Sequence, residues 1–291
     1  VARDQVSPLL VLVGETSSGK SSLALQLAQR FNGEIISADS ASVHRGADIG
    51  TAKPTLAEQS LVPYNLIDVV GPNEPFTAAD FQRQSQEAIN EINNKNKLPI
   101  IAGGTGLYID SLLYNYSFLP IRKQDQLNSL CLEDLQNKAK SIGLNLENLD
   151  MLNKRRLVRY IEINGAQPNK QKLRPNTLIL GLSVEREVIK KRITSRLDSM
   201  LEAGLEEEVR SLAEKYGWDC IVLQVVGYSQ WKRYFEGDQS FSETRQFIIK
   251  ATNDLAKRQR TWFKRNKSIQ WFVSPVNLSE IVDLVTTFLS N

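Results

Sequence analysis

The chain has 291 residues, 41% hydrophobic and 24% charged, with a formal net charge of only +3, enough for one large domain or a core with a smaller lobe. No apolar run approaches a membrane span and no signal-peptide pattern opens the sequence, so a cytoplasmic setting is expected. A single histidine, His44, excludes a His-based metal site, and two distant cysteines, Cys131 and Cys220, give neither a disulfide framework nor zinc-ligand spacing.

The first element is an apolar run at 9–13, read as a strand. It leads through Gly14-Glu15-Thr16-Ser17-Ser18-Gly19-Lys20-Ser21 into an amphipathic helix at 21–30. Strand, Gly-rich turn and helix are the setting that G-x-x-x-x-G-K-[ST] requires. Amides of such a turn converge on phosphate oxygens. Lys20 adds a point charge, and Ser21 is the type of ligand that holds a divalent cation bridging two phosphates. The loop identifies a di- or triphosphate without saying which molecule carries it. Further runs at 35–37, 65–69 and 98–102 read as strands, and 78–93 and 106–114 as helices. The alternation predicts an α/β fold with a parallel sheet flanked by helices. Ligands of such sheets sit at the carboxyl ends of the strands.

Asp39 lies just past the second run. It can be a turn aspartate, a partner of a cation, or a general base facing the phosphate loop; its position alone leaves all three open. The small-residue segment 45–54 and the turn Gly103-Gly104-Thr105-Gly106 follow the same logic, shaping a crevice by backbone approach. Residues 127–142 and 149–163 read as helices without a strand, followed by a polar, Pro-bounded loop at 164–175. The run 177–182 returns to the sheet. We therefore read 118–175 as an all-helical insertion in a core made of 1–117 and 176–291. Helices at 185–201, 206–216 and 243–265, a strand at 268–273 and a helix at 278–289 complete the chain.

Charge is unevenly spread. Residues 154–174 carry seven Lys or Arg against Glu162, and 250–267 carry seven against Asp254. Two such blocks suit a polyanion, with two solvated helix faces as the alternative. In the second block Trp262 and Phe263 interleave with cations, a pattern that suits stacking on unpaired bases, or else a core face with a basic face opposite. Arg192 and Arg196, four apart, share a helix face; one can clamp a diphosphate, or both can pair with Glu185 and Glu187. Nothing marks an orienting partner for His44.

In this order the motifs resemble the bacterial tRNA dimethylallyltransferases, also called tRNA isopentenyltransferases, nearly end to end. The likeness rests on 14–21, Ser37-Ala38-Asp39-Ser40, Asp48-Ile49-Gly50-Thr51-Ala52-Lys53-Pro54, Gly103-Gly104-Thr105-Gly106-Leu107-Tyr108, Arg155-Arg156-Leu157-Val158-Arg159, 196–204, Val226-Gly227-Tyr228 and Ala256-Lys257-Arg258-Gln259 with Thr261-Trp262. The resemblance implies a P-loop NTPase-like core and transfer of a dimethylallyl group from dimethylallyl diphosphate to N6 of adenine 37 in tRNA. Gly14, Thr16, Ser17, Ser18, Gly19, Lys20 and Ser21 would hold the diphosphate, with Mg²⁺ on Ser21. Asp39, Thr105 and Arg196 would be catalytic, with Asp39 as the base. Asp39, Ser40, Ala41, Ser42, Thr105, Arg155, Arg156, Arg159, Lys257, Arg258, Gln259, Arg260, Trp262 and Arg265 would meet the tRNA. The insertion would grip the anticodon stem-loop, and a monomer is expected. The family usually has Gln at the position of Ser42, Tyr at that of His44 and Pro at that of Glu15, and His-Pro-Asn-Asp where this chain has Asp150-Met151-Leu152-Asn153. Two other readings share the phosphate loop: transfer of the same group to free adenine nucleotides, and a small-molecule kinase.

Overall fold

The computed structural model describes residues 6–119, 125–147, 149, 151–166 and 169–290; Asp150 lies outside them. Six parallel strands form one sheet in the order β3-β2-β4-β1-β5-β6. They are β1 (Leu9–Gly14), β2 (Gly33–Ala38), β3 (Tyr64–Asn65), β4 (Leu98–Gly103), β5 (Thr177–Ser183) and β6 (Ile269–Val273). In register, Leu10 lies between Ile100 of β4 and Leu178 of β5. Every residue of β1 is buried, because helices cover both of its faces. From β1 the chain moves to one side of the sheet, and after β4 it crosses to the other. The carboxyl ends of β1 and β4 therefore border the point where the strand order reverses, the place such sheets leave open for a ligand.

The helices follow from their apolar spacing. On α1 (Lys20–Arg30), Leu23, Ala24, Leu27 and Ala28 form the buried stripe. It packs on Leu10, Leu12, Leu180 and Leu182 together with Ile281 and Val285 of the last helix. The order continues with α2 (Leu56–Leu61), α3 (Ala78–Asn94) and α4 (Gly106–Leu113). Next come α5 (Asp125–Ser129), α6 (Leu132–Ser141) and α7 (Lys154–Glu162), then α8 (Arg186–Glu202) and α9 (Leu205–Tyr216). The chain closes with α10 (Lys232–Phe235), α11 (Phe241–Phe263) and α12 (Leu278–Ser290). A second cluster, including Ala47, Leu197, Leu205, Val209, Tyr228 and Trp231, packs α8, α9 and the short turns after them beneath the 44–54 loop.

Two compact units result, one of residues 1–113 and 174–291, the other of 114–173. The smaller unit has its own core, in which Leu157, Val158 and Ile161 of α7 meet Leu127, Leu135 and Ala139.

Three sequence-based elements differ. The strand expected at 65–69 is only Tyr64–Asn65. Leu66 and Asp68 adopt left-handed backbone at φ 61° and 55°, which ends the ladder, and Val70 instead bridges to His44. The helix expected at 127–142 is two helices, because Cys131 caps the second: its thiol accepts from the Asp134 amide at 3.4 Å. The helix expected at 149–163 starts at Lys154, where the Asn153 side chain accepts from the Arg156 amide at 3.1 Å. Helix α2 was not expected; it stands on a Thr55/Glu58 capping box and buries no residue.

Candidate active site

The phosphate loop joins β1 to α1. Gly19 precedes the helix at φ 94°, a left-handed conformation suited to glycine, and no side chain caps the helix start. The first bond across the turn, Leu23 N–H to the Gly19 carbonyl at 3.1 Å, leaves the amides of Lys20, Ser21 and Ser22 outside the helical ladder. The hydroxyls of Ser17 and Ser18 are buried with no hydrogen-bond partner among the described residues. Orphaned donors and free amides at a helix N-terminus fit an anion. Lys20 donates to the Glu15 carbonyl at 3.2 Å. Burial pulls its ammonium down to about 8; nearby Asp39 opposes that shift and Arg196 adds to it.

The loop is braced from behind. Gln259 accepts from the Thr16 amide at 2.8 Å. Glu15, 2% exposed, receives two hydrogen bonds from the Arg260 guanidinium at 2.7 and 2.8 Å. The acid that replaces the family's usual proline is thus turned away from the phosphate site and paired. Arg192 donates to the Ser17 carbonyl at 3.4 Å and to the Ser274 hydroxyl at 3.3 Å, while Glu187 pairs with Lys190 at 2.8 Å. Of the two arginines, Arg196 is the one that lines the cavity described next; burial holds its pKa below the ordinary arginine value, against the pull of Asp39.

That cavity, of about 350 Å³, brings together Thr16, Ser17, Lys20 and Ser21 of the loop, the segment Asp39–Ser42, Thr105, Arg196 and Gln259. Its wall also includes Gly50–Pro54 and the apolar side chains of Ile193, Leu197, Met200, Leu205, Val225 and Val226. A neighbouring groove of about 520 Å³ shares Ser17, Lys20, Ser21 and Arg196, so the phosphate loop borders both.

Asp39 Oδ1 accepts from the Ala41 amide at 2.9 Å, an Asx-turn that fixes the carboxylate. The turn reading and a chemical role are therefore compatible. Thr105 ties β4 to this segment: its hydroxyl accepts from the Ser40 amide at 3.0 Å, and its own amide donates to the Ala38 carbonyl at 3.1 Å. Ser42 is buried, with its hydroxyl 3.1 Å from that of Ser37 and donating to the Asp39 carbonyl at 3.3 Å. His44 is buried too, its Nδ1 3.1 Å from the Gly71 carbonyl. Both residues that depart from the family pattern hold the loop together.

Helix α11 divides its side chains. Phe263 is in the core, and Trp262 donates its indole N–H to Asp110 at 2.9 Å while Arg265 stacks on its ring, 4.5 Å from the centroid. Lys257 and Arg258 are exposed. In the smaller unit Arg155 and Arg156 are exposed, whereas Arg159 donates to the Leu119 carbonyl at 2.8 Å.

Sequence reasoning missed Glu208. Its carboxylate accepts from the amides of Asp48 and Ile49, both at 2.8 Å, of Gly50 at 3.0 Å, and from the Tyr228 hydroxyl at 2.6 Å. Lys53, with its side chain 4% exposed, holds the same loop by donating to the His44 carbonyl and to Asp48, both at 2.6 Å, and to Asp68 at 2.5 Å. No sequence signal singles out Glu208 from Glu206 and Glu207 beside it.

Among the described residues no group of three or more His, Cys, Asp or Glu side chains could hold a metal, and no helix is long and apolar enough to cross a membrane. A family model described as IPP transferase matches residues 42–266. A tRNA dimethylallyltransferase of Anoxybacillus flavithermus is 38% identical over 278 residues, covering 91% of this chain and 89% of that protein. The crystal structure of the full-length tRNA isopentenylpyrophosphate transferase of Bacillus halodurans superposes with a TM-score of 0.77 at 34% identity, covering 97% of each chain. A eukaryotic dimethylallyltransferase, captured acting on tRNA, superposes with a TM-score of 0.81 at 25% identity, covering 98% of this chain and 80% of its own.

Proposed function

The chain belongs to the IPP transferase family, and from that membership and its site we propose that it is a tRNA dimethylallyltransferase. It passes the five-carbon group from dimethylallyl diphosphate to N6 of adenine 37, in the anticodon stem-loop of tRNA. The observation that carries this reading is the single cavity shared by an anion-binding loop and the Asp39 carboxylate.

The diphosphate lies against the loop, where the Ser17 and Ser18 hydroxyls, the first amides of α1, Lys20 and Arg196 supply donors. As the allylic C1–O bond breaks, negative charge grows on the departing diphosphate. These fixed donors then bind more strongly than in the ground state. The unpartnered hydroxyls and the Ser21 side chain at the helix start also fit Mg²⁺ held mainly by diphosphate oxygens. Bound there, Mg²⁺ would neutralise part of the leaving group's charge.

At the other end of the cavity the adenine must leave its stack, at about a few kcal/mol. Asp39 takes the N6 proton as the nitrogen attacks C1. A positioned base of this kind contributes about 10²–10⁴-fold. Thr105 and Ser42 keep the Asp39 segment in place through the bonds described above. Ser40 and Ala41 line this end, while Gln259 and Arg260 brace the phosphate loop; Trp262 follows them on α11, and Arg265 just past its end, as further contacts for the tRNA. Exposed cations on α11 and α7 supply the electrostatic contacts to the RNA backbone.

Labelled dimethylallyl diphosphate offered with bulk tRNA, with AMP, and in a parallel reaction with ATP in its place tests the reading. Label in tRNA alone is expected. Label in AMP would instead make this an adenine-nucleotide transferase, and phosphate transfer from ATP would make it a kinase.

A further inference from the structure

We propose that Glu208 is a positioning residue for the transfer: it sets the cavity wall formed by Gly50–Pro54 without touching either substrate. The inference rests on the function proposed above.

Three consecutive backbone amides, Asp48, Ile49 and Gly50, converge on one carboxylate, and the Tyr228 hydroxyl completes its coordination. Consecutive amides aimed at one anion form a nest, a feature usually met around a bound phosphate. Here the anion is built into the protein, on α9. Charge-assisted bonds of this kind are about twice as strong as neutral ones. Lys53 ties the same loop to the His44 carbonyl, Asp48 and Asp68, but the amides at its start, 48–50, are held by Glu208. The loop contains no strand or helix, and Ala52 sits at φ 49°. It nevertheless contributes Gly50, Thr51, Ala52, Lys53 and Pro54 to the cavity. Gly50 also packs on the Tyr228 ring so closely that a Cβ there would lie 2.5 Å from Cζ. Loop, carboxylate and phenol are therefore bonded and packed into one piece. Burial and the Glu208 charge push the Tyr228 phenol well above its ordinary pKa, so it stays a donor.

The phosphate loop is held by different residues, Gln259, Arg260 and Arg192. Loosening the Glu208 nest should therefore leave the diphosphate anchored and misplace only the opposite wall. A displacement of about 1 Å at a reacting site can cost about 10²-fold in rate.

The test compares wild type with Glu208→Gln, whose amide nitrogen would face at least one backbone N–H group in either orientation, and with the milder Tyr228→Phe. Three quantities are measured on the full chain: amide exchange at residues 48–50, affinity for inorganic diphosphate, and kcat for tRNA. For Glu208→Gln, exchange at 48–50 should quicken at least about tenfold and kcat fall at least about tenfold, with diphosphate affinity unchanged within about twofold. Tyr228→Phe should shift exchange and kcat the same way by a smaller factor, and it decides the matter if Glu208→Gln does not fold. Unchanged exchange, a kcat near wild type despite fast exchange, or a parallel loss of diphosphate affinity overturns the proposal. A wild-type protein that transfers nothing to tRNA would instead refute the proposed function, and the exchange and diphosphate measurements would still be readable.

Discussion

Helices α7 and α11 each carry four of the seven cations of a basic block, and they use them differently. On α7, Arg155 and Arg156 face solvent above an apolar underside of Leu157, Val158 and Ile161. That underside belongs to the core of the small unit. On α11, Gln259 and Arg260 reach into the core and hold the phosphate loop, Trp262 anchors to Asp110, and Lys257 and Arg258 remain outside. Blocks that look alike in composition thus differ in what they connect. On α11 the exposed Lys257 and Arg258 stand one to three positions from the residues that bond the phosphate loop.

The strongest test of that contrast is Arg260→Ala. It leaves Glu15 buried without its cation, which should destabilise the fold by about 3 kcal/mol and weaken diphosphate binding as the loop relaxes. Replacing both Arg155 and Arg156 with Ala should leave stability and diphosphate binding alone. Chemical denaturation and calorimetry on the two variants check this; equal stability losses would remove the distinction.

Next in size is the effect on RNA. Lys257→Ala with Arg258→Ala should weaken tRNA binding and reduce the slope of log K against log salt by about 1 to 2 units, as expected for two lost phosphate contacts. An unchanged slope would put those side chains away from the backbone.

The smallest effect is a pH dependence that Lys20 adds to diphosphate binding. The folded pKa of Lys20 is lowered to about 8 by burial, against about 10.4 in an unfolded chain. The free protein loses this charge as pH rises through about 8, so inorganic diphosphate should bind more weakly above that point, with proton uptake on binding. Stability moves the other way. Between about 8 and 10.4 the unfolded chain holds more protons, so the cost of burying a charged lysine is relieved as pH rises across that window. Calorimetry of diphosphate binding from pH 7 to 9 should show weaker binding on the alkaline side in wild type than in Lys20→Arg, which retains only the dependence from the ligand's own ionisation.

How much of this was legible in the sequence follows from range. The phosphate loop is a contiguous motif, so eight residues between a strand and a helix were enough to identify it. The Gly103-Gly104-Thr105-Gly106 turn was a weak signal alone; its value lies in the Thr105–Ser40 bond, 65 positions apart. The Glu15–Arg260 pair spans 245 positions and the Glu208–Gly50 bond 158. Neither has local periodicity to mark it, and a glutamate in the first turn of a helix is already explained by the helix dipole. Arg192 and Arg196 share a helix face in sequence, but only packing decides that one braces the loop backbone and the other lines the cavity. The strand expected at 65–69 stops at Asn65 although its apolar residues suit a strand, because Leu66 and Asp68 take left-handed backbone, with Asp68 paired to Lys53.

The central claim is that leaving group and base occupy opposite ends of one cavity. Asp39→Ala tests it most directly, with single-turnover transfer to tRNA and diphosphate affinity measured on the same preparation. Transfer should drop by at least about 10²-fold while diphosphate affinity stays within about twofold. Near-normal transfer, or a loss of diphosphate affinity as large as the loss of transfer, would contradict it.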